Sequence, residues 1–267
     1  MTRGTYNIFK ALDNGDLEAV KHFIENGTDV NAKDNKGFTP IHIAVGEKGS
    51  LEIVKCLIDH GADINVKGRN EWTVLHIAAS ENGKLETVKY LVEKGADINV
   101  RDDSKSTPLH HAINEEGDGD SQYQIVKYLV DNGADLDVKS ETETTPLISA
   151  SYIGNLAMVK YLIEKGADLN LTNDVGMTPL HSASLENHFE IVKHLIEKGA
   201  DINAKDDRDY TPFHMASLRN LEIMKYLVEN GADINSKDMN GHSALDRASS
   251  SSYRDIEIVK YLTEVST

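Results

Sequence analysis

Apolar positions along this chain alternate between two patterns of helical spacing. Leu75, Ala78 and Ala79 form one short apolar face; after a polar break near Asn82-Gly83, Leu85, Val88, Leu91 and Val92 recur at the spacing of a second helix. Gly95 follows the last apolar turn, where a left-handed helix end is wanted, and Asn or Asp a few residues on suits a tight turn. The pattern predicts a helix, a turn, a second helix and then a projecting β-turn loop.

That unit recurs. The string G-A-D-[IL]-[ND] begins at Gly61, Gly95, Gly133, Gly166, Gly199 and Gly231, with the variant GTDVN at Gly27, at spacings of 34, 34, 38, 33, 33 and 32 residues. A second string starts at Thr39 (TPIH), Thr73 (TVLH), Thr107 (TPLH), Thr145 (TPLI), Thr178 (TPLH) and Thr211 (TPFH). A third places Val or Met before Lys21, Lys55, Lys89, Lys127, Lys160, Lys193, Lys225 and Lys260. The threonine hydroxyl is suited to cap a helix, and proline, lacking an N–H, fits its first turn. Alanine in register at Ala11, Ala44, Ala78, Ala112, Ala150, Ala183, Ala216 and Ala248 lets neighbouring first helices approach closely. One such unit buries too little surface to fold alone, so the units must stack.

The three strings in register resemble the ankyrin repeat, over essentially the whole chain. The resemblance implies an all-α fold: an α-solenoid of paired antiparallel helices with projecting β-turn fingers lining a concave groove. Eight units are expected in one solenoid spanning 1–267, with an N-terminal capping unit at 1–33, six internal units at 34–237 and a C-terminal capping unit at 238–267. The ends depart from the pattern: Tyr6, Asn7, Ile8 and Phe9 replace T-P-L-H in the first unit. The last reads SALD at Ser243, then Arg247 and Ser249 to Ser252, a polar outer face for the end of a stack. Unit four inserts Asn114 to Gln122 between its helices, and unit five has Ser140 to Thr144 in place of a D-x-x-G turn and Ile148 in place of the histidine. This junction is expected to be the least regular.

Composition narrows the partners. Hydrophobic residues make up 39% of the 267 and charged residues 27%, too apolar for a disordered chain. Lys and Arg number 28 against 44 Asp and Glu, a net charge of −16 that repels phosphate backbones and anionic membranes. No apolar run reaches the length of a signal peptide or membrane span, and the single Cys56 requires no oxidising compartment. These features point to a cytoplasmic protein.

Eleven histidines invite a search for chemistry. His42, His76, His110, His181 and His214 occupy one position of the repeat, which predicts a recurring hydrogen bond to a neighbouring loop. His110 and His111 adjoin Asn114, Glu115, Glu116, Asp118 and Asp120, but adjacent helical residues diverge, whereas zinc wants three or four converging ligands. No metal, cofactor or catalytic residue is therefore expected, and no hydrolase, nucleotide-binding or metalloprotease motif is present. Cys56 reads as a structural helix residue. The sequons at Asn26 and Asn170 would need a secretory route, and Asn65, Asn99, Asn170 and Asn203 resemble asparagines hydroxylated in some ankyrin proteins, although bonding the loop is their expected task. Pairs such as Glu18/Lys21, Glu52/Lys55, Glu86/Lys89, Glu190/Lys193 and Glu222/Lys225 read as a solvated outer face.

In ankyrin proteins, partner contact usually falls on finger tips and the groove side of the first helix. The position before each T-P-L-H string holds Phe38, Trp72, Ser106, Thr144, Met177, Tyr210 and His242. The end of the first helix offers Tyr152, Ile153, Leu185, Leu218 and Arg219. Phe38, Trp72, Tyr152, Ile153, Met177, Leu185, Tyr210, Leu218 and Arg219 are the candidate protein-binding residues. The expected function is protein–protein recognition by a monomer, without catalysis, toward a partner with a basic surface. The alternatives are a host-directed effector, since near-uniform arrays resemble those of some intracellular bacteria and would act in the host cytosol or nucleus, and the targeting portion of a larger transferase or ligase.

Overall fold

The computed structural model describes residues 7–46, 48–80, 84–114, 119–217, 220–250 and 256–266. Two compact blocks divide the chain, Met1–Asp135 and Leu136–Thr267. In the first, α1 (Ile8–Asp13) packs on α2 (Leu17–Glu25), α3 (Pro40–Ala44) on α4 (Leu51–Asp59), α5 (Val74–Ser80) on α6 (Leu85–Glu93), and α7 (Pro108–Ala112) on α8 (Gly119–Asp131). In the second, α9 (Pro146–Ile153) packs on α10 (Leu156–Glu164), α11 (Pro179–Leu185) on α12 (Phe189–Glu197), α13 (Pro212–Ala216) on α14 (Leu221–Glu229), and α15 (Ala244–Ser250) on α16 (Ile256–Val265). Within each block, first helices stack on first helices and second on second. Among the described residues there is no strand.

The first helices start where the Thr-Pro string predicts, and the histidine completes the start. At Thr39, Thr107, Thr178 and Thr211 the threonine side chain and the histidine three residues later form a reciprocal cap. His42 Nδ1 accepts from the Thr39 N–H at 3.2 Å, which leaves its Nε2 to donate to the Trp72 carbonyl of the next finger at 3.1 Å. His76 reaches Ser106 O and His181 reaches Tyr210 O in the same way. Each of these histidines thus holds its own helix start and the next loop, as expected of a structural residue. The register alanines are buried from Ala11 to Ala248. Gly95, at φ 94°, ends α6 with its N–H on Val92 O, while the Ala96 N–H returns to Leu91 O.

Successive fingers are joined by a ladder of side-chain amides. Asn31 Nδ2 donates to Gly61 O at 2.9 Å while its Oδ1 accepts from the Asp63 N–H at 2.9 Å. Asn65 and Asn99 repeat both bonds, as does Asn203 in the second block. Asp137 takes the asparagine's place there and accepts from the Asp168 N–H at 3.0 Å. A carboxylate has no N–H, so the donating half of that rung has no counterpart.

The reading of residues 140–144 as an unusual finger needs correction. Glu71, Lys105, Glu143 and Asp209 all stand at the turn position that Gly37, Gly176 and Gly241 fill, and all have φ between 53° and 59°. The turn hydrogen bonds force the left-handed backbone whichever residue is there: Glu143 N–H bonds Ser140 O and Ser140 N–H bonds Thr144 O, as Lys105 and Asp102 do in their finger. Where that residue is acidic, the lysine four positions earlier pairs with it, in Lys67–Glu71, Lys139–Glu143 and Lys205–Asp209. Of the insertion, residues 115–118 lie outside the described part, but its flanks are held. Gln122 donates to Asn114 Oδ1, and Asn114 donates to Ser80 O at 2.7 Å.

Two surface readings also change. Glu18–Lys21 and Glu86–Lys89 are ion pairs, whereas Lys55 and Lys225 lie over the rings of Tyr90 and Tyr261 in the following repeat. Arg247 does not belong to a polar outer face. Its side chain is only 21% exposed, with Cζ 3.9 Å from the centre of the Tyr210 ring and Nη1 3.8 Å from Asp238 Oδ2. A guanidinium is weakly hydrated and planar, so it stacks on the ring while its charge stays opposite a carboxylate.

Candidate functional site

In the second block, three of the candidate residues converge. Met177 and Tyr210, each just before a Thr-Pro helix start, and Leu185, at the end of α11, line one open pocket of about 540 Å³. Val175 and Met215 extend its apolar wall; Asp206, Asp207, Arg208 and Arg247 supply its charge. The Asp206 carboxylate is committed to the finger, accepting the Arg208 and Tyr210 N–H groups at 2.9 and 2.8 Å. Asp207 and Arg208 are exposed at the rim, as is Val175 at 48%. Arg247 Nε is buried without a hydrogen-bond partner. The pocket can take an apolar side chain against Met177, Leu185 and Met215, with polar groups around its edge.

The other described candidates are not among its lining residues. Tyr152 is 47% exposed and Ile153 half-buried at the end of α9, where the Tyr152 carbonyl accepts from His188 Nε2 at 2.9 Å. Leu218 and Arg219 lie outside the described residues. Phe38 and Trp72 belong to the first block and are half-buried. Phe38 packs 5.6 Å from the His42 ring, and a Cβ on Gly68 of the next finger would come within 2.9 Å of both side chains. Trp72 stacks on His76 at 6.4 Å and meets His111 edge-on at 4.5 Å. Tyr210 likewise lies 5.9 Å from His214. Before Thr39, Thr73 and Thr211 an aromatic residue thus covers the histidine four positions on.

Burial lowers the pKa of His42, His76, His181 and His214 from the usual imidazole value. For His76, the neighbouring His111 adds to the effect and takes it to about 4; for His214, Arg247 does so. The rings of His42, His76 and His181 are neutral at neutral pH, as their paired donor and acceptor bonds require, whereas His214 Nε2 is buried without a partner.

The family model for ankyrin repeats matches residues 8–102, 49–140, 109–206 and 205–266, nearly the whole chain. The chain belongs to the ankyrin-repeat family. The paired helices of the ankyrin units, their projecting fingers and the all-α class follow the family's solenoid fold. A search of individually curated proteins finds no match. Ankyrin repeats are generally protein–protein interaction modules, and no helix among the described residues is long and apolar enough to cross a membrane. Val175, Met215, Asp207, Arg208 and Arg247 were not picked out by the sequence. Only Arg247 carried a signal, a long cation where other repeats have Ile43, Ile77, His111, Ser149, Ser182 or Met215.

Proposed function

We propose that the protein is a recognition module without chemistry of its own, acting as a monomer, and that it binds an apolar side chain of a partner protein in the Met177–Leu185–Tyr210 pocket. The observation that carries this reading is the convergence of those three register positions on one open, largely apolar wall. Arg208 balances Asp207 at the rim, and it is the net charge of −16 over the chain that favours a partner segment carrying lysine or arginine beside the apolar residue. Recognition in such a groove draws most of its energy from a few buried anchors.

Selection of a displayed random-peptide library on the purified chain tests this directly. Recovered peptides should pair a large apolar residue with a basic one, and a labelled peptide should bind the double variant Met177→Ala, Leu185→Ala more than tenfold more weakly. Its on-rate should fall as salt rises. Peptides that lack a basic residue and bind the double variant as tightly as the parent chain would refute the assignment.

A further inference from the structure

His111 sits one place past the repeat histidine of its own helix, and its surroundings come from three different segments. His76 is on α5, Asp102 opens the following finger, and His111 is on α7. Their ligand atoms, two imidazole nitrogens and a carboxylate oxygen, all lie within 4.8 Å of one another. Among the described residues this is the one group of three or more His, Cys, Asp or Glu so placed.

We propose that His76, Asp102 and His111 bind one divalent transition-metal ion, zinc by the nature of the donor set. Two imidazoles and a carboxylate form a familiar three-ligand set for zinc, which leaves a fourth position for water or another donor.

The division of labour within Asp102 supports the assignment. Its Oδ1 performs the finger's ordinary task, accepting the Ser104 and Ser106 N–H groups at 2.9 Å each. Oδ2 takes no part in the turn and lies 2.8 Å from His111 Nε2, on a side chain that is 1% exposed. In the repeat where Arg247 stands at the His111 position, the matching Asp238 Oδ2 faces the guanidinium instead. That pair brings its own permanent positive charge. At the Asp102 position the partner is an imidazole, whose lone pair can be directed at a cation.

His76 already has the second partner that a metal-bound histidine requires. Its Nδ1 lies 3.0 Å from Thr73 Oγ1, and its Nε2 faces Ser106 O at 3.2 Å. Binding through Nε2 moves the proton to Nδ1, where it donates to the threonine hydroxyl, and gives up both the bond to Ser106 O and the Thr73 N–H bond that Nδ1 accepts at 3.1 Å. Metal bonds of about 2.0–2.2 Å put tetrahedral ligand atoms about 3.3–3.5 Å apart, so the three groups need shift by only about 1 Å. Trp72, against His111, closes one side, while His111 itself is 19% exposed and leaves a path for the ion.

The full chain, stripped with a chelator and dialysed, should take up one equivalent of Zn²⁺ by calorimetry. Co²⁺ in its place should give the intense visible bands of a tetrahedral ion. His111→Arg copies the Arg247–Asp238 arrangement and should stay folded by circular dichroism while losing the bands and at least tenfold in Zn²⁺ affinity. Asp102→Asn should weaken binding similarly. Should His111→Arg misfold, His111→Ile, the residue type at Ile43 and Ile77, serves in its place. No stoichiometric uptake by the parent chain, or uptake that persists in folded His111 and Asp102 variants, overturns the proposal.

Discussion

Replacing His76 with glutamine separates the two things a buried repeat histidine does. Glutamine at the third position of a helix can still return a bond to the threonine cap, so α5 keeps its start, but glutamine does not titrate. The folded chain holds His76 neutral, with a pKa of about 4 imposed by burial and by His111, against opposition from the Ser106 carbonyl and then Asp102. The unfolded chain protonates it near the ordinary value of about 6.5. Between those two pH values the unfolded state binds a proton that the folded state excludes. The stabilisation is therefore complete above about pH 6.5 and is lost as pH falls toward 4, by about 3 kcal/mol in all. Urea unfolding with a chelator present, at a series of pH values, measures it. The stability of the parent chain minus that of His76→Gln should decrease by about 3 kcal/mol from pH 7 to 4. Parallel curves would refute the reasoning, and a difference growing as pH falls would mean that the folded state prefers the charged ring.

Other perturbations act on the frame. Asp137→Asn restores an amide donor to the incomplete rung and should raise stability by about 0.5–1.5 kcal/mol in urea denaturation. Deleting 238–267 removes α15 and α16, uncovers Leu227 and Met224, which are fully buried, and takes Asp238 and Arg247 away from Tyr210. The shortened chain should aggregate or unfold at lower denaturant, and an unchanged midpoint in a monomer would count against a capping role for that repeat.

Features written in one short window were legible in the sequence. Thr-Pro starts, glycine ends and register alanines each depend on neighbours along the helix, and all appear where spacing puts them. The loop bond expected of the repeat histidines is made by His42, His76 and His181, because the task recurs with the repeat, and is missing at His214. What escaped depends on which side chains face each other across repeats. Asp102 and His111 are nine residues apart and His76 lies farther still, so no local spacing links them. Arg247 looked like a solvent-facing cap residue because polarity says nothing about a ring waiting one repeat back. Met215, on α13, and Val175, in a finger, join the pocket because of which segments face one another there, whereas Met177, Leu185 and Tyr210 could be named because they hold positions that the repeat defines. Glycine is not required by the turn at 140–144, where Glu143 takes the left-handed backbone that Lys105 and Asp209 also adopt.

The amide ladder between fingers bears on how a chain like this changes length over generations. The repeats of Asn31, Asn65, Asn99 and Asn203 offer their neighbours the same pair of groups, one donor and one acceptor, at the same place. If recombination copies or drops a whole repeat, the new seam meets a matching pair and no polar group is stranded. A cut one residue out of phase would set carbonyl against carbonyl and N–H against N–H. Growth and shrinkage are thereby channelled into whole repeats, and a seam bearing aspartate, as at Asp137, is the one that a graft from another array would most readily improve.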